Sequence, residues 1–161
     1  MSTNQAWLAL SVEETLAPQL PIIDPHHHLW RNRHNSLPDT YLLDEFLSDI
    51  HTGEDNIVSS VFIECGTMFN TDGPVDLRPV GETQFANDVA NMRASGLYGP
   101  TRVATGIVGT AFLSAGDSVA SVLDGQLSAG GDRFKGIRQA AARNDDPLVP
   151  DHRTSPRKGL Y

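Results

Sequence analysis

Cysteine is almost absent: Cys65 is the only one in 161 residues, which excludes an internal disulfide and points to a reducing, cytoplasmic setting. Also missing is any apolar run near the roughly 20 residues that span a bilayer, so no membrane partner is expected. The N-terminus lacks a basic stretch followed by an apolar core, and no secretory signal is expected from it. Positive charge is scarce: a formal net charge of −8 argues against a nucleic-acid binder. The scarcity is uneven, because five basic residues face seventeen acidic ones through Asp132, whereas seven basic and three acidic residues follow from Arg133 on. That basic end reads either as a solvated loop region or as arginines turned toward an anionic substrate. No G-x-G-x-x-G follows the first apolar strand, which removes the usual dinucleotide-binding fold.

What is present is ordinary for one globular domain: 39% hydrophobic and 20% charged residues, with fourteen glycines and ten prolines too dispersed for low complexity. Residues 1–20, with Trp7, Leu8, Leu10, Val12 and Leu16 in no clean period, read as an N-terminal arm or a short helix. Pro21-Ile22-Ile23-Asp24 is a short strand, and Leu43, Phe46, Leu47 and Ile50 mark a helix over Tyr41–His51. The β-branched run from Ile57 to Cys65 has the composition of a buried parallel strand. Phe85, Val89 and Met92 predict the inner face of a second helix, with Ala86 and Ala90 beside it and Gly96 as its terminator. Val103–Gly109 is a third strand, Val119, Val122, Leu123 and Leu127 a third helical stripe closed by Gly130-Gly131, and Phe134–Arg138 a fourth strand. The end of the chain, from Asn144-Asp145-Asp146-Pro147 onward, reads as a loop.

The β-α-β-α-β-α-β order implies an α/β fold with a parallel sheet and right-handed crossovers. A complete (β/α)₈ barrel takes about 250 residues, so the chain holds about half of one. An open doubly wound sheet also fits the length, and periodicity does not choose between them.

Chemistry concentrates at Asp24-Pro25-His26-His27-His28. Alternation along an extended strand sends Asp24, His26 and His28 to one face and Pro25 and His27 to the other. Two imidazoles at i and i+2 can reach one cation, with Zn–N distances of about 2.0–2.1 Å. The competing reading is a surface histidine cluster or tag remnant, which the internal position between Ile-Ile-Asp and Leu-Trp disfavours. Glu64 at the end of the second strand is a candidate acceptor for His26 or His28, or an ion-pair partner of Arg138 or Arg102. Arg138 closes the fourth strand and is either a clamp for a substrate carboxylate or the partner of an acidic loop. Cys65 reads as a small buried hydrophobe, and His34, His51 and His152 as solvated.

The stretch "PIIDPHHHLW" resembles the first strand of the amidohydrolase-2 group of the amidohydrolase superfamily. "NIVSSVFIECG", "VATGIVG" and "FKGIRQAAARNDDP" are similar to its second, third and fourth strands, so the likeness runs over residues 20–161. The resemblance implies the N-terminal half of a TIM-type barrel over residues 21–161, His26 and His28 as ligands of a divalent metal such as zinc, and Arg138 on a substrate carboxylate. In that group some lactonases work without a tightly held metal. The implied reaction is hydrolysis of a lactone, ester or amide of a small anionic substrate, and the implied alternative is non-oxidative decarboxylation. Further histidines of the superfamily come from the fifth and sixth strands and an aspartate from the eighth, so the chain alone is expected to be inactive. A non-catalytic remnant that self-associates to cover its sheet edge is the third expectation. A phosphoesterase of the polymerase-and-histidinol-phosphatase type is disfavoured by Leu29-Trp30, and a cupin by the lack of a glutamate soon after His28.

Overall fold

A computed structural model describes residues 10–11, 13–34, 38–94, 99–140, 144 and 146–149. The expectations placed on Trp7, Leu8, Val12, Gly96, Asp145, His152 and the basic residues beyond Arg138 lie outside these residues. Four strands form one parallel sheet in the order β1 (Ile22–His27), β2 (Ile57–Ile63), β3 (Arg102–Gly109) and β4 (Phe134–Ile137). Between them run helices α1 (Leu43–Thr52), α2 (Val80–Ala94) and α3 (Val119–Gly130). The fold class is therefore mixed α/β with alternating strands and helices. The strand order contains no reversal, the feature that creates the switch point of a doubly wound sheet. No helix among the described residues is long and apolar enough to cross a membrane.

Each helix forms for a legible reason. In α1, Leu43, Phe46 and Leu47 are buried on one stripe while Asp44 and Glu45 sit in the first turn, where carboxylates favour the helix dipole. The Glu45 carboxylate also accepts the Leu42 N–H at 2.9 Å. Helix α2 begins at Val80, directly after the buried Pro79, whose fixed φ suits a helix start. Its inner face is Glu82, Thr83, Ala86, Val89, Ala90 and Arg93, and Met92 is 44% exposed instead of facing inward. In α3 the buried residues are Val122, Gln126, Ala129 and Gly130, while Leu127 is 55% exposed. The polar Gln126 takes the core position because its amide donates to the Thr110 carbonyl at 2.8 Å. Gly131 ends α3 at φ 52°, a conformation that suits glycine.

One apolar core joins α1 and α2 to the sheet: Leu43, Phe46, Leu47, Ala86, Val89 and Ala90 pack with Leu29, Phe62, Val103 and Ile107. The opposite sheet face is less covered. There Ile23, which pairs with Ser59, is 61% exposed, and the Ser59 and Thr105 hydroxyls meet at 2.7 Å. Residues 13–20 contain no helix, and Leu16 is fully exposed, so the short-helix option for this segment is not realised among the described residues.

Candidate functional site

The β1 strand carries the histidines, and its register decides which of them share a face. Asp24 pairs with Ser60 and His27 with Phe62, so two residues of β1, Pro25 and His26, oppose the single Val61 of β2. That extra residue is a bulge, and it breaks strict alternation. Ser60 and Phe62 lie on one face of β2, so Asp24 shares a face with His27. This corrects the expected grouping of Asp24 with His26 and His28. Asp24 instead accepts the backbone N–H of His26 through Oδ1 at 3.0 Å. Pro25 lies at the slip, in an edge strand, where a missing N–H is tolerated.

His27 is buried in the core. Its ring stacks on Phe46 at 4.4 Å between centroids, and Nδ1 donates to the Val61 carbonyl at 2.9 Å. Burial lowers its pKa to about 4, so the ring is neutral at pH 7. The ring is a packing element.

His26 and His28 face each other. Their Nε2 atoms stand 3.1 Å apart, with the rings edge to face at 86°. The Nδ1–H of His28 donates to the Ile63 carbonyl at 2.7 Å, which leaves the lone pair on Nε2. Its pKa is lowered, first by burial and then by the electrostatic influence of neighbouring His26 and Arg138, so the neutral ring is favoured. Two nitrogens on one tetrahedral zinc, at about 2.0–2.1 Å each, would stand about 3.3 Å apart. The observed spacing therefore suits two corners of one cation site. Among the described residues no group of three or more His, Cys, Asp or Glu converges on a metal position.

Glu64 and Arg138 close the strand ends beside this pair. Arg138 donates from Nε to Glu64 Oε1 at 2.7 Å and from Nη2 to the Glu64 carbonyl at 2.6 Å. Its own backbone N–H reaches the Gly109 carbonyl at 2.9 Å, so the ends of β2, β3 and β4 are tied together. Of the two roles open to Glu64, the geometry realises the ion pair with Arg138, and the carboxylate accepts no hydrogen bond from His26 or His28. Across the β2 end, Arg33 donates to the Cys65 carbonyl at 3.0 Å and lies 5.6 Å from the Trp30 ring centroid. Arg33 escaped the sequence reading, although Trp30 and Arg33 follow the histidines directly.

Glu82 was also missed. It is fully buried on α2, and its Oε1 accepts the Cys65 and Thr67 N–H groups at 2.9 and 3.1 Å. Oε2 has no partner among the described residues, and burial raises the pKa to about 7. This carboxyl holds the turn that follows β2 and so sets where Glu64 sits. Its signal lay in the spacing to Ala86 and Val89, four and seven residues on. Cys65 is buried with its thiol on the Leu29 carbonyl at 3.4 Å, and burial pushes its pKa up to about 12. Such a thiol is not a nucleophile. His34 and His51 are exposed, and His34 lies 3.7 Å from Asp39.

Comparison with protein-family models, curated proteins and solved structures gives no match.

Proposed function

We propose that the four strands and the three helices between them belong to the first half of a (β/α)₈-type barrel bearing the site of a metal-dependent hydrolase of the amidohydrolase-2 type. The observation that carries the reading is the His26–His28 pair at the C-terminal end of β1, with Nε2 atoms 3.1 Å apart. The consecutive strand order and the gathering of His28, Glu64 and Arg138 at strand C-termini support it, because barrel active sites are built from these ends.

In this reading His26 and His28 hold a divalent cation such as zinc. Such a cation, when bound, supplies Lewis-acid polarisation of a carbonyl and a more acidic water. The chain's own residues do the positioning. The Ile63 carbonyl fixes the His28 tautomer, and Asp24 fixes the backbone at His26. Arg138 spends Nε and one Nη2 hydrogen on Glu64, so its Nη1–Nη2 edge is the face turned to a substrate carboxylate. A small carboxylated lactone, ester or amide fits that pairing of a cation site with a guanidinium. Glu64 is held by Arg138 and does not serve as the base that activates water, so turnover by this chain alone is expected to be slight.

The test is ring opening of dicarboxylate lactones by the zinc-loaded chain, followed by proton release. A slight opening above the spontaneous rate, which requires zinc and vanishes in His26→Ala and His28→Ala, is expected. Release of CO₂ from aromatic acids in place of ring opening would assign the carboxy-lyase class and overturn the hydrolase reading.

A further inference from the structure

Three consecutive backbone carbonyls at the end of β2 each hold a different side chain. The Ile63 carbonyl accepts the His28 Nδ1–H at 2.7 Å, the Glu64 carbonyl accepts Arg138 Nη2 at 2.6 Å, and the Cys65 carbonyl accepts Arg33 Nη2 at 3.0 Å. The last pair between β1 and β2 is His27 with Phe62, so the carbonyls beyond it are open to side chains. Where residues 63–65 stand therefore decides where one histidine of the pair and two guanidinium groups stand.

Two ties fix that stretch of backbone. The Glu64 N–H donates to the Val108 carbonyl of β3 at 2.8 Å. The second tie is Glu82, whose Oε1 reaches from the first turn of α2 to accept the Cys65 N–H at 2.9 Å and the Thr67 N–H at 3.1 Å. One oxygen thereby spans the turn at Gly66, whose φ of 74° suits glycine. Glu82 is fully buried, and N–H groups that lose their acceptor in such a place carry the full desolvation cost. The same helical turn meets the loop one residue earlier. A Cβ on Gly81 would lie 2.6 Å from Asn70 Oδ1 and 2.7 Å from both the Asn70 nitrogen and the Met68 carbonyl. The first turn of α2 is thus seated on residues 65–70 at two adjacent points.

We propose that Glu82 is a positioning residue of the candidate site: by holding the Cys65 and Thr67 N–H groups, it sets the end of β2 that aligns His28, Arg33 and Arg138. The consequence for metal binding rests on the hydrolase reading, whereas the alignment itself does not. Glu82 makes no hydrogen bond to His26, His28 or Arg138, and acts on them only through the backbone of residues 63–67. The property it supplies is a buried hydrogen-bond acceptor at a fixed height on α2. Glutamine supplies the same acceptor, and an apolar side chain of similar length does not.

The test compares the full chain with Glu82→Gln and Glu82→Met, first without metal, by the NMR signals of the His28 Nδ1–H and the Arg138 Nε–H, and then by zinc titration. Glu82→Gln should keep both signals and bind zinc within about twofold of the parent. Glu82→Met should shift or lose both signals and weaken zinc binding at least about fivefold, as expected for a group that orients a ligand. Val122→Ala, which opens a cavity under α3, should lower stability without moving either signal, and so separates positioning from general loosening. Parent-like signals in a folded Glu82→Met overturn the proposal, as does a Glu82→Gln that behaves like Glu82→Met. If Glu82→Met does not fold, amide exchange in the parent decides: Cys65 and Thr67 should be protected as strongly as Ile63, and unprotected exchange at both overturns the proposal. A parent chain that binds no zinc removes the hydrolase reading instead, and the signals recorded without metal then decide the role of Glu82.

Discussion

Arg138 grips Glu64 twice, by the carboxylate at 2.7 Å and by the backbone carbonyl at 2.6 Å. The second bond matters because it fixes the chain at the end of β2 and not merely a side chain. Arg138 is 42% exposed, so solvent screening keeps the ionic part small, at about 1 kcal/mol or less. Arg138→Gln is expected to lower the melting temperature by about 2–4 °C in a chain of this size. Arg138→Lys should recover part of the loss, since one ammonium cannot serve both acceptors in the guanidinium's geometry. Thermal melts of the three proteins check this, and an unchanged melting temperature in Arg138→Gln would contradict it.

Gly109 is a second point where small changes should be felt. A Cβ there would lie 2.7 Å from Thr83 Oγ1 and 2.8 Å from Gln126 Oε1, both buried between β3 and the helices. Gly109→Ala is expected to cost about 1–3 kcal/mol by overpacking. Gly136→Ala, where a Cβ meets nothing within 4 Å, should stay within about 0.5 kcal/mol of the parent. Urea midpoints measure both, and equal effects at the two sites would refute the packing argument.

Glu82 makes stability depend on pH in a direction unusual for a carboxylate. Its pKa rises from 4.5 to about 7 on folding, because burial disfavours the charge and the neighbouring Glu64 adds repulsion. The folded chain therefore keeps a proton that the unfolded chain releases. The favourable contribution is complete below pH 4.5 and is lost as pH rises through about 7. A shift of this size corresponds to about 3 kcal/mol. His27 works in the opposite sense, gaining stability as pH rises from about 4 to 6.5. The informative quantity is thus the difference between the parent and Glu82→Gln, which still accepts the Cys65 and Thr67 N–H groups. That difference should move by about 3 kcal/mol in favour of the variant between pH 4.5 and 8, measured by urea unfolding. Parallel curves would remove the buried acid from the account.

Most of the element order could be read from residue patterns, because β2 and β3 are β-branched runs and α1 has a clean apolar stripe. The inner face of α2 could be read only in part: Val89, Ala86 and Ala90 are buried as the apolar pattern implies, but Glu82, Thr83 and Arg93 are buried beside them without any apolar signal. Their burial depends on acceptors and donors from distant segments, such as Cys65 and Thr101, which no local period reveals. The same holds for Gln126, which displaced Leu127 from the core by bonding Thr110. At the histidines, the i and i+2 spacing was visible, but the two-against-one pairing of β1 with β2 was not. Only the partner strand exposes that slip, and it moves Asp24 to the face of His27. The tie between Glu64 and Arg138, 74 residues apart, was one of several pairings the sequence left open.

The proposed hydrolase site requires His26 and His28 to share one cation, a requirement that metal stoichiometry measures. The chain, stripped of metal and then titrated with zinc, should bind one equivalent, with affinity reduced at least about tenfold in His26→Ala and in His28→Ala. His34→Ala and His51→Ala, which change exposed histidines away from the pair, should bind as the parent does. Zinc binding that survives both His26→Ala and His28→Ala, or no binding by the parent chain, would contradict the account.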